Sequence, residues 1–84
     1  MDRVVNHAMI WNALERFAKE NNMSCSGLAK KSGLDATIFN RSKRWTVDGK
    51  ERWPNTQSIA KVLAATNSNA IDFIKYLTVL PKAA

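Results

Sequence analysis

The chain has 84 residues, 45% of them hydrophobic and 24% charged, which limits it to one small soluble-type domain. Thirteen Lys and Arg against seven Asp and Glu give a net charge of +6 and a pI near 9.9, so an anionic partner is expected, nucleic acid before an anionic membrane. One cysteine and one histidine exclude a disulfide framework and a structural zinc site, and a lone thiol suits a reducing cytosol.

Neither a signal peptide nor a membrane span is expected, because no apolar stretch exceeds a few residues. Between Asn6 and Asn21, Ile10, Leu14 and Phe17 recur at i, i+4 and i+7, the stripe of an amphipathic helix. Asn21-Asn22 should end it, since Asn tolerates the left-handed conformation past helix ends. His7 is read as a solvated or capping residue at the helix start. Ser24 should cap a second helix running to Ser32, with Lys30 and Lys31 at its carbonyl end and Gly33 turning the chain. Cys25, in that first turn, is read as a partly buried, unreactive thiol, although a helix N-terminus can also lower a thiol pKa.

Asp35 is the next capping residue, and a third helix is expected from Ala36 to Lys43 with Ile38 and Phe39 inward. The stretch from Arg44 to Asn55 should be a hairpin-like excursion, turned by Asp48-Gly49 and closed by Pro54. Trp45 and Trp53 bracket it and are expected to pin it to the core; the alternative is that one stacks on a sugar or phosphate-flanking surface. A fourth helix begins after Asn55 or Thr56 and carries Ile59, Val62 and Leu63. Asn67-Ser68-Asn69 breaks it. Asn69 caps a fifth helix, with Asp72 as capping-box partner, Ile71, Phe73, Ile74 and Leu77 as apolar surface, and Pro81 as the stop.

The most specific signal is the segment from Cys25 to Arg44. A helix-turn-helix needs a small residue where its helices cross, a glycine at the turn, and apolar residues just after it and about five further on. Ala29, Gly33, Leu34 and Phe39 meet these needs, with Leu28 beside them. Between Leu28 and Trp53 seven cations and three anions place +4 of the +6 around this motif, as phosphate contacts require.

These residues carry a family resemblance. Leu28-Ala29-Lys30-Lys31-Ser32-Gly33-Leu34, Thr37-Ile38-Phe39-Asn40, and Pro54 leading into Ile59-Ala60-Lys61-Val62-Leu63 resemble the lambda-repressor-like (Cro/CI type) DNA-binding domain. The likeness spans about Ile10 to Leu77. With Trp11, Ser42-Lys43-Arg44, Asp48-Gly49 and Arg52-Trp53-Pro54 it is similar, more narrowly, to the N-terminal domain of bacterial and prophage repressors of the LexA/CI self-cleaving kind. Those repressors carry a serine–lysine autoprotease domain that these 84 residues do not include, so an isolated N-terminal domain or a natural short form is expected. The loop after the motif is longer here than in the shortest Cro/CI domains.

The resemblance implies an all-α, five-helix domain over residues 1–84, with the motif at about 25–44 and the excursion between helices 3 and 4. It implies a bacterial, cytoplasmic repressor that binds an operator in double-stranded DNA, as a homodimer on that DNA, without membrane, metal, cofactor or small-molecule substrate. The second motif helix would lie in the major groove. Ala36, Thr37, Asn40 and Arg41 would then read bases, Asn40 by a bidentate bond to adenine and Arg41 by reaching guanine or a phosphate. Ser24, Ser26, Lys43, Arg44, Lys50 and Arg52 would hold phosphates. No convergent acid/base or nucleophile set is visible, so an enzyme is not expected. Two rival readings are a small antitoxin or adaptor that meets an acidic protein, and a nucleic-acid-coating protein without sequence choice. Tyr76, Val79 and Leu80 are the candidate dimer surface.

Overall fold

The computed structural model describes residues 5–78. Four α-helices and one short 3₁₀ helix make up the described chain, and it is all-helical with no strand among the described residues. The expected Pro81 stop and the Val79 and Leu80 part of the dimer surface lie outside the described residues.

Local capping sets most boundaries. Helix α1 is His7–Glu20, and Asn6 opens it by accepting the Met9 amide at 2.9 Å. Asn22 ends it with a left-handed φ of 61°. Helix α2 is Cys25–Lys31, where the Ser24 hydroxyl accepts the Gly27 amide at 3.0 Å. Gly33 turns the chain away at φ 76°, and the Leu34 amide reaches back to the Ala29 carbonyl at 2.9 Å. Helix α3 is Thr56–Ala65; Asn55, not Thr56, is its cap, accepting the Ser58 amide at 2.7 Å. Helix α4 is Ala70–Thr78, opened by a reciprocal capping box between Asn69 and Asp72 at 2.9 and 3.0 Å.

The third expected helix does not form as an α-helix, so the five-helix count is corrected to four. From Ala36 to Phe39 the chain makes two i→i−3 turns, Ile38 to the Asp35 carbonyl and Asn40 to the Thr37 carbonyl, both at 3.0 Å. Asn40 is extended (φ −66°, ψ 153°), and a 3₁₀ helix follows at Arg41–Lys43. Thr37, Ile38, Phe39 and Asn40 are poor helix formers. Tertiary contacts then take what an α-helix would need: the Phe39 carbonyl, which an α-helix would give to the Lys43 amide, accepts Nη2 of Arg44 at 3.2 Å instead.

The expected excursion is present. Trp45 and Glu51 form an antiparallel bridge, the Thr46 amide donates to the Lys50 carbonyl at 2.8 Å, and Gly49 supplies the turn at φ 86°. Its base is clamped to α1: Nε2 of His7 reaches the carbonyls of Arg44 (2.8 Å) and Arg52 (3.1 Å), and the Trp11 indole N–H donates to the Arg52 carbonyl at 3.0 Å. His7 is therefore buried, not solvated.

The core is Trp11, Ala13, Leu14, Phe17 and Ala18 of α1 with Leu28, Ala29, Phe39, Val62 and Phe73. Helix α1 lies at its centre, against α4 on one side and α2 on another, and α2 continues to α3. Phe73 meets Phe17 edge-on at 5.8 Å, and Tyr76 does so at 6.0 Å. Tyr76 is thus drawn toward the core, while Ile71 and Ile74, expected inside, are exposed.

Candidate nucleic-acid interface

The segment from Asp35 to Arg44 follows directly on the Gly33 turn. Asp35 fixes its start: one carboxylate oxygen accepts both the amide (2.8 Å) and the hydroxyl (2.7 Å) of Thr37. These two bonds hold the Asp35 carboxyl below the ordinary carboxylate range, with a smaller contribution from Lys43. Of the expected base readers, Thr37, Asn40 and Arg41 are exposed and Ala36 is half-buried. The Thr37 hydroxyl proton is committed to Asp35, so this residue can offer a base only an acceptor. Asn40 makes no side-chain bond among the described residues, and its amide is open. The Arg41 side chain is 83% exposed and 3.6 Å from Glu15. Because the backbone is turned and 3₁₀, these residues do not form one α-helical stripe.

The expected phosphate-holding residues separate. Lys43, Lys50, Arg52 and Ser24 are exposed, and Ser26 is half-buried. The Ser24 oxygen already accepts the Gly27 amide, leaving its hydroxyl proton to donate. Arg44 is the correction: it is 9% exposed and cannot hold a phosphate. Its Nη1 pairs with Glu15 at 2.8 Å, and its guanidinium lies over the Trp11 ring at 4.7 Å. Its Nε is buried without a hydrogen-bond partner among the described residues. Glu15 and Trp11 make Arg44 a structural cation, a role hidden in the sequence because Glu15 is 29 positions away.

Two hollows flank the segment. One is a recess whose lining includes Asp35, Lys43, Arg52, Trp53, Asn55 and Ser58. The other is a broad groove lined by His7, Ala8, Asn12, Arg41, Ser42 and Trp45. Arg41 and Lys43 therefore face different hollows. Trp45 and Trp53, expected to pin the excursion from within, are about half exposed. They lie against His7, with ring centroids at 4.5 and 6.2 Å.

Burial, then the nearby Glu15 carboxylate, pushes the Cys25 thiol up against the opposing pull of Arg44 and Arg41. This direction is opposite to the lowering that a helix N-terminus would bring. Among the described residues no group of three or more His, Cys, Asp or Glu could hold a metal ion. No helix there is long and apolar enough to cross a membrane. Comparison with protein-family models, curated proteins and solved structures returns no match.

Proposed function

We propose that this chain binds double-stranded DNA by sequence and represses transcription, as a homodimer on its operator in the bacterial cytoplasm. The observation that carries this reading is the exposure of Thr37, Asn40, Arg41 and Lys43 in the Asp35–Lys43 segment, in the third of the chain that holds +4 of the +6 charge. Open amide and guanidinium groups are what base edges require, and the surrounding cations supply the phosphate term. The reading element on this view is a compact turn followed by a 3₁₀ helix, with Asn40 at the junction. No metal, cofactor or catalytic group enters the mechanism. Exposed Ile71 and Ile74 on α4 offer the surface for pairing on DNA.

Those two isoleucines also favour a second reading, a protein-interaction module of the antitoxin or adaptor kind. Selection from a random duplex pool separates the two. The DNA reading expects one enriched site, and Asn40→Ala then costs about 1–3 kcal/mol on that site and little on scrambled duplex. A pool without enrichment, or equal losses on both duplexes, overturns it.

A further inference from the structure

The groove of about 520 Å³ where α1 meets the stretch from Arg41 to Trp45 is lined by groups that the DNA reading leaves unused. Trp45 is in that lining, half exposed, with its ring 4.5 Å from that of His7. His7 is itself fixed by the Arg44 and Arg52 carbonyls, so the indole is held in place before any ligand arrives. Trp11 gives its indole N–H to the Arg52 carbonyl and Trp53 gives its own to Glu51, whereas that of Trp45 makes no hydrogen bond among the described residues. Asn12 and Ser42, exposed in the same lining, are likewise without side-chain hydrogen bonds there. Among the described residues no Asp or Glu lines the groove. Its two guanidiniums, Arg41 and Arg44, share the single carboxylate of Glu15 at 3.6 and 2.8 Å, which leaves one positive charge over.

We infer that this groove takes a nucleotide, with its base on Trp45 and its phosphate on Arg41. A base offers the flat π-face that a fixed, half-exposed indole stacks on. Its edge carries hydrogen-bond donors and acceptors side by side, which the Asn12 amide matches, adenine best of all. The Ser42 hydroxyl and the Trp45 N–H remain for the sugar. The exposed Arg41 fork fits a phosphate, and no acid in the lining opposes it. An acidic peptide would use the cation alone and leave Trp45 and Asn12 idle. The nucleotide is either free or one unstacked residue of a single strand. The inference goes beyond the duplex reading and shares only Arg41 with it.

The test is titration of the ¹⁵N-labelled chain with AMP, and in parallel with ribose phosphate and with sodium chloride at equal ionic strength. The Trp45 indole and the Asn12 side-chain amide should shift saturably with AMP, and ribose phosphate, which lacks the base, should bind far more weakly. Trp45→Leu should weaken AMP roughly tenfold, within the range of one base stack. Asn12→Ala, at an exposed position of α1, should weaken it severalfold and keeps the test decisive if Trp45→Leu perturbs folding. Equal responses to AMP and ribose phosphate, or wild-type affinity in both variants, overturn the inference. So does a glutamate-rich peptide that moves the same resonances more strongly than AMP. A single-stranded oligodeoxyadenylate identifies the source: a strand residue binds more tightly than AMP and displaces it, whereas a free nucleotide stays bound when the strand is added. An AMP response without any duplex binding keeps the groove and removes the DNA reading. Duplex binding with Trp45 and Asn12 silent to both AMP and the strand removes the groove alone.

Discussion

Arg41 and Arg44 are three positions apart, and their environments give them opposite work. The Arg41 side chain is 83% exposed, while that of Arg44 is 11% exposed and locked to Glu15. Arg44→Ala should remove a part-buried ion pair and the cover over Trp11, costing on the order of 2–4 kcal/mol of folding stability. Arg41→Ala should leave the melting temperature within about a degree and lower DNA affinity. Thermal melts and duplex titrations of both variants check this; equal melting temperatures would remove the structural role of Arg44. Asp35 carries a pH prediction. Its folded-state pKa is lowered by the Thr37 amide and then the Thr37 hydroxyl, so its contribution exists above the ordinary carboxylate range. That contribution fades as the pH falls through the lower folded value. The Thr37 amide resonance should therefore move on acidification with a midpoint below that of a free aspartate, and Asp35→Asn should abolish the transition.

At the scale of elements, the motif depends on one turn and one crossing. Gly33 sits at φ 76° with nothing within 4 Å of where a Cβ would stand. Gly33→Ala therefore meets backbone strain without a clash and should cost about 1–2 kcal/mol. For a domain of this size that lowers the melting temperature by roughly 4–8 °C per kcal/mol. Ala29 is fully buried on α2, so Ala29→Leu should overpack the core at a cost of about 1–3 kcal/mol. A melting temperature unchanged by Ala29→Leu would show that the site can expand freely. The caps at Ser24, Asn55 and Asn69 were legible because each acts on an amide three residues on. The third helix was misread for the complementary reason. Its pattern of apolar residues fits a helix, but the Arg44 guanidinium claims the Phe39 carbonyl and ties that stretch to α1. No local rule contains that competition.

For the whole molecule, charge is the quantity with the longest reach. Arg41, Lys43, Lys50 and Arg52 are exposed around the turned segment. If each meets one phosphate, log affinity for duplex should fall with log salt at a slope of about −3 to −4 per bound chain. A flat plot would remove the electrostatic part of the reading. Residue totals determined this excess charge, and short-range periodicity the all-helical class. Composition and spacing also placed Leu28, Ala29 and Phe39 inside. The tertiary structure decided which polar residues are available. It buried His7 beneath carbonyls 37 and 45 positions away, and it took Arg44 from the surface to pair with Glu15. Such assignments follow from which groups meet after α1 packs across the excursion, and desolvation at those meetings outweighs the intrinsic preference of any one side chain.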